Sequence, residues 1–150
     1  MLNTVALINV IMATNTESLP VAIVAESDDE TRGLIRSLLE LLGFAVVEAN
    51  DGDDVYQSAV CYQPDLILME VPPPVAGGFS TVRRIRRESD LSRVPIIAMS
   101  TKSTSASQNL AFAAGCTAHL SKPIVFERLE SVVETLVPCE RLSMVSLLVH

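Results

Sequence analysis

The feature that most constrains this chain is the regular alternation of short apolar runs with segments of helical periodicity. Apolar runs occupy residues 21–25, 44–48, 66–69, 96–99 and 118–120. Each is four or five residues long or shorter, and most lack the polar alternation of a half-exposed strand. Runs of this kind belong to strands covered on both faces, and parallel sheets are the sheets so covered. Each run is followed by a segment whose apolar residues recur at helical spacing. Five βα units in succession predict an α/β fold in three layers, a doubly wound, five-stranded parallel sheet. Run 66–69 is the most apolar, which puts it at the centre of the sheet; it ends at Glu70.

The helices carry their own punctuation. Asp28 and Asp29 suit a helix start, Leu34, Ile35, Leu38, Leu39 and Leu42 follow at helical spacing, and Gly43 ends the helix. Asn50-Asp51-Gly52 is turn chemistry ahead of a helix over about 53–62. Val71-Pro72-Pro73-Pro74 and Gly77-Gly78 exclude helix and central strand, so a loop precedes a helix over about 79–88. The fourth helix is predicted over about 107–114 before Gly115, and the fifth over about 125–136 before Pro138.

Composition sets the outer bounds. The 150 residues suit one compact domain, and 49% hydrophobic against 19% charged residues exclude a disordered chain. A formal net charge of -7 argues against binding to nucleic acid or to anionic lipid by the whole surface, so neither partner is expected. The local basic run Arg83, Arg84, Arg86, Arg87 reads as a solvated helix face. Cys61, Cys116 and Cys139 are odd in number and form no CxxC pair, which fits reduced thiols in a cytoplasmic protein. The apolar run 5–13 has no Lys or Arg before it and is too short to span a bilayer. The chain thus divides into an N-terminal extension and linker (1–19), the α/β domain (20–137) and an apolar C-terminal tail (138–150). That tail makes a homodimer a reasonable expectation.

In doubly wound sheets, ligands bind beyond the carboxyl ends of the strands. Here those ends carry Glu26 and Ser27 after the first strand, Glu70 after the third, Ser100 after the fourth and Lys122 after the fifth. Two carboxylates on one edge suit a hard cation such as Mg²⁺, and an amine with hydroxyls suits a phosphoryl oxygen. One such residue would mean little; five on strand ends is a specific pattern.

The segments IVAESDDETR, LLELLGF, LILMEVPPPVAGGF, VPIIAMST and AGCTAHLSKP, with their spacing, resemble the receiver domain of response regulators, the CheY-like family. The resemblance covers residues 20 to 137 and implies strand order 2-1-3-4-5. In that family an acidic pair after strand one holds Mg²⁺, and an Asp after strand three takes phosphate from a histidine kinase. A Thr or Ser after strand four and a Lys after strand five contact the phosphoryl group. Carried over, the acidic pair falls on Glu26 and Ser27, the phospho-acceptor on Glu70, the hydroxyl on Ser100, the lysine on Lys122 and the aromatic switch position on His119.

Three of these positions depart from the family pattern. Glu70 replaces the acceptor Asp and displaces its carboxylate by roughly 1.5 Å, one carbon–carbon bond. Misplacement of about 1 Å can cost on the order of 100-fold in rate. Ser27 removes one acidic partner, and Glu26 lengthens the other. A metal site built from Glu26 and Glu70 is weak or absent, and no cofactor is expected. A shifted register with Asp28-Asp29 as the acidic pair would rotate the first helix by about 200°. Those two residues are read instead as a helix cap.

The expected function is therefore that of an atypical receiver, a pseudo-receiver. It would act in phosphorelay signalling through protein contacts, without enzyme activity and with Lys122 salt-bridged to Glu70. Its partner would be a histidine kinase or a downstream signalling protein, met by the face of helix four, strand five and helix five. Two alternatives stand beside this reading. One is a working receiver that uses Glu70 as acceptor with Mg²⁺. The other is a flavodoxin-like small-ligand binder, disfavoured because AESDDE stands where a Gly-rich phosphate loop would be.

Overall fold

The structure, a computed structural model, describes residues 4–5, 19–71, 79–101 and 104–137. The expectations for the Pro72–Pro74 and Gly77-Gly78 loop, for Cys139, for most of the N-terminal extension and for the C-terminal tail lie outside these residues. Five strands, β1 (Val21–Ala25), β2 (Ala45–Glu48), β3 (Leu66–Glu70), β4 (Ile96–Ser100) and β5 (Ala118–Ser121), alternate with five helices. These are α1 (Asp29–Leu41), α2 (Gly52–Tyr62), α3 (Ser80–Arg87), α4 (Ser105–Ala114) and α5 (Phe126–Leu136). The strands form one sheet in the order β2-β1-β3-β4-β5, and every pairing is parallel.

Successive strand residues point to opposite faces, so the sheet separates two cores. Ile23, Ile67, Met69, Ile96 and Ala98 pack with Val55 and Ala59 of α2, Val82 and Ile85 of α3 and Ala111 of α4. Ala22, Val24, Leu66, Leu68, Ile97 and Met99 pack with Ile35 and Leu39 of α1 and with Leu129 and Val133 of α5. The central strand β3 is buried on both sides, as its continuous apolar run requires. On α1 the buried pair is Ile35 and Leu39; Leu38 and Leu42 are half-buried and Leu34 is exposed. The helix is therefore rotated slightly from the stripe read in the sequence.

Helix ends follow side-chain chemistry. Asp28 caps α1 and accepts from the Thr31 amide at 2.8 Å and the Thr31 hydroxyl at 2.6 Å. Gly43 follows with φ 104°, a conformation that favours glycine. Helix α4 starts two residues before the position predicted. Thr104 and Ser107 form a reciprocal capping box, so Ser107 lies inside the first turn.

The basic run on α3 is only partly a solvated face. Arg84 stacks on the Tyr56 ring, 4.0 Å from its centroid, and pairs with Asp53 at 3.2 Å. Arg86 turns inward and donates to the carbonyls of Gly115 (2.9 Å) and Leu91 (3.1 Å) and to the Thr117 hydroxyl (3.3 Å). It ties α3 to the turn between α4 and β5. Removing it leaves two part-buried carbonyls without that donor, so Arg86→Met is expected to lose about 2–3 kcal/mol in urea denaturation. A loss below about 0.5 kcal/mol would return Arg86 to the solvated class.

Two described cysteines differ in chemistry. Cys61 is exposed and Cys116 is buried. Burial pushes the Cys116 thiol up to about 11 from 9.0, with the nearby Arg86 pulling weakly the other way. The unfolded chain loses this proton first, so the stability gained from burying a neutral thiol falls as pH rises from about 9 towards 11. Iodoacetamide at about pH 8 should label Cys61 in the folded protein and reach Cys116 only after urea is added. Peptide mapping reads both sites.

Candidate functional site

The parallel register brings the carboxyl ends of β1, β3, β4 and β5 to one edge of the sheet. Ala25 lies opposite Met69, Glu70 opposite Met99, and Ser100 opposite Ser121. The chain leaves each strand there, which delivers Glu26, Ser27, Glu70 and Lys122 into one cluster. The Lys122–Pro123 peptide is cis.

Lys122 is the centre of that cluster. Its ammonium donates to Glu26 Oε1 at 2.5 Å and to Glu70 Oε1 at 2.8 Å. The sequence predicted the second contact and missed the first. Glu26 and Lys122 are 96 residues apart, and only the adjacency of the strand ends joins them. The Glu26 side chain is fully buried, that of Lys122 is 13% exposed, and that of Glu70 is 32% exposed. Glu26 is thus the fixed partner and Glu70 the rim partner.

Ser27 completes the arrangement. Its amide donates to Glu70 Oε2 at 3.0 Å and its hydroxyl to the same oxygen at 2.7 Å. The extra methylene of Glu70 thereby lets one carboxylate span from Ser27 to Lys122. Partial burial pushes the Glu70 carboxyl up, but Lys122 and the two Ser27 donors together hold it below the usual carboxylate value. Partial burial pulls Lys122 down, but Glu26 and Glu70 outweigh it and hold the ammonium above its ordinary value. The cluster is an ion triad in which Glu70 and Lys122 each favour the charged form.

Arg32 buttresses the entry to α1. It donates to the Glu26 carbonyl at 3.0 Å and to Asp29 at 2.6 Å. Glu26 Oε2 is buried and has no hydrogen-bond partner among the described residues. Sequence reading missed Arg32; its position six residues after Glu26 on a capped helix was the available signal.

Ser100 and His119 sit beside the triad and meet each other. Ser100 Oγ lies 2.7 Å from His119 Nε2, and the Ser100 carbonyl accepts from the Lys122 amide at 2.8 Å. Ser100 is buried and His119 half-buried, with desolvation pulling the imidazole below its ordinary value. The serine hydroxyl is therefore engaged with β5.

A magnesium ion fits these residues poorly. A cation shared by Glu26 and Glu70 would have to displace the ammonium that both already bind. Among the described residues, no group of three or more His, Cys, Asp or Glu side chains could hold a metal ion. Also among the described residues, no helix is long and apolar enough to cross a membrane.

Comparison with known proteins agrees with the fold. Residues 8–134 match the response regulator receiver domain. The polar-differentiation response regulator DivK of Brucella anthropi is 25% identical over 112 residues, which is 75% of this chain and 91% of that protein. The receiver domain of the sensor histidine kinase PA1611 from Pseudomonas aeruginosa is 28% identical, with a TM-score of 0.68. The alignment covers 78% of this chain and 96% of that one, and a magnesium ion is coordinated in that protein's active-site cleft. The chemotaxis response regulator CheY4 of Vibrio cholerae shares the fold, with a TM-score of 0.72 at 24% identity over 79% of this chain and 99% of its own. Receiver domains are signalling domains that interact with histidine kinases and other signalling proteins, and are generally not enzymes. With its matching sequence, its 2-1-3-4-5 parallel sheet and its charged strand ends, the chain belongs to the response regulator receiver domain family.

Proposed function

We propose that this receiver is a pseudo-receiver: a protein-binding module of two-component signalling, held in one state by its own ion triad and not switched by phosphorylation. The observation that carries the reading is the Lys122 ammonium bound at once to Glu26 and Glu70. A phosphoryl donor would have to approach a glutamate whose oxygens are already taken up by Lys122 and by Ser27. In-line attack needs a correctly placed oxygen, and both Glu70 oxygens are held by hydrogen bonds to Lys122 or Ser27. Glu26 and Ser27 stand at the acidic-pair positions, Glu70 at the acceptor, and Ser100, His119 and Lys122 at the positions that answer to phosphate in the family.

The output surface in this reading is the face of α4, β5 and α5. Phe112 and Val125 are exposed there, each about half accessible. Gln108, Phe112, His119, Val125 and Arg128 line a groove of about 550 Å³. Exposed apolar side chains with a cationic rim suit a protein partner better than a phosphate backbone. His119 links this groove to Ser100, whose carbonyl accepts from the Lys122 amide, so two hydrogen bonds in series join the face to the triad.

Intact-mass analysis tests the proposal. The full chain is incubated with Mg²⁺ and acetyl phosphate. No mass gain is expected. A phosphoryl group gained by the natural chain and lost in Glu70→Gln would make this a working receiver with a glutamate acceptor.

A further inference from the structure

We infer that the Lys122 ammonium, seated between Glu26 and Glu70, is this domain's resident cation and keeps divalent metal out of the strand-end cluster. The inference builds on the locked reading above and adds a chemical property to it: indifference to magnesium.

Three observations carry it. First, both carboxylates converge on one point, and that point is Nζ, at 2.5 Å from one and 2.8 Å from the other. A tethered amine cannot diffuse away, so it competes with a free ion at very high effective concentration. Second, Glu26 is fully buried and its Oε2 has no hydrogen-bond partner among the described residues. Two carboxylates face one ammonium, and Arg32 spends its donors on the Glu26 carbonyl and on Asp29. The cluster therefore keeps net negative charge and an unused oxygen that a cation could take once the ammonium is gone. Third, Ser27 supplies a hydroxyl where it can turn from Glu70 towards an ion. Two carboxylates, a hydroxyl and water are an acceptable oxygen set for a hard cation. What blocks that set is one positive charge in its middle.

Removing the block should create the site. In Lys122→Met the two glutamates lose the counter-ion they share, and a divalent cation gains the attraction of both with no ammonium to repel it. Mn²⁺ is the probe, titrated into the full chain without any phosphodonor and followed by calorimetry and by thermal shift. The natural chain is expected to show no saturable binding in the millimolar range. Lys122→Met is expected to bind about tenfold or more tightly than that limit and to melt higher with Mn²⁺ present. Both gains should vanish in Lys122→Met/Glu26→Gln. Where the methionine variant does not fold, Lys122→Gln replaces it, because the amide still donates to Glu26 while the charge is gone.

Saturable binding to the natural chain that is lost in Glu26→Gln would overturn the inference. So would a Lys122 variant that binds Mn²⁺ no better than the natural chain. Neither result touches phosphoryl transfer, which the mass assay reads separately.

Discussion

Lys122→Met is expected to destabilise the domain by about 3–5 kcal/mol, the cost typical of breaking a buried ion pair from one side. The magnitude comes from Glu26. Its side chain is fully buried, and without the ammonium it becomes a buried charge with no counter-ion among the described residues. Glu70 adds little, because it is a third exposed and water can replace the lost partner. This asymmetry is itself testable. Glu70→Gln leaves Lys122 paired with Glu26 and should cost no more than about 1 kcal/mol. Lys122→Met/Glu26→Gln should recover more than half of the single-variant loss, since an uncharged amide tolerates burial far better than a carboxylate. Urea denaturation of the natural chain, Lys122→Met, Glu26→Gln and Lys122→Met/Glu26→Gln closes the cycle, with Glu70→Gln measured beside them. Equal costs for Lys122→Met and Glu70→Gln would mean that Glu26 contributes nothing.

Acid adds a further signature. The Glu70 carboxyl titrates below its ordinary 4.5 in the folded chain, so its stabilising share is present above that value and lost as pH falls through the folded one. The stability gap between the natural chain and Glu70→Gln should therefore shrink as the pH drops from about 5 towards 3.

The second large effect concerns the chemistry the domain has set aside. Glu70→Asp/Ser27→Asp is expected to take a phosphoryl group from acetyl phosphate in the presence of Mg²⁺ at least about 100-fold faster than the natural chain. Two changes act together in this variant. Shortening residue 70 withdraws its carboxylate from both Ser27 and Lys122, which returns an unshared oxygen to the edge of the sheet and loosens the hold on the ammonium. An acid at residue 27 removes the hydroxyl that holds Glu70 Oε2 at 2.7 Å and adds a third carboxylate for a cation. Glu70→Asp alone should gain less, because the cluster still lacks that third carboxylate. Initial rates from intact mass separate the two. A double variant as inert as the natural chain would place the block elsewhere, in the geometry around Ser100 or in the Lys122–Glu26 contact.

Much of this molecule was legible in the residues. The five strands follow from short apolar runs bounded by turn residues and alternating with helical periodicity. The first helix begins where Asp28 predicts, because a carboxylate there satisfies the Thr31 amide that the helix cannot. Legibility failed where a partner lies far along the chain. Arg86 looked like one charge among four on a polar helix. Its carbonyl partner Gly115 is 29 residues away and offers no charge for sequence reasoning to detect. Glu26 looked like a displaced metal ligand, and the structure turns it into the buried anchor of Lys122. The start of α4 was misplaced because a serine can cap a helix or sit in its first turn, and only the Thr104–Ser107 geometry decides which.

The central claim is that the strand-end triad holds one state whatever phosphate chemistry is offered to it. Beryllofluoride with Mg²⁺ mimics an acyl phosphate on a receptive carboxylate, and backbone amide NMR reports the response residue by residue. The amides of Ser27, Glu70, Ser100 and Lys122 are expected to stay at their original shifts throughout the titration. Saturable shifts at these amides that spread through His119 to α4 would contradict the claim and show a receiver that still switches.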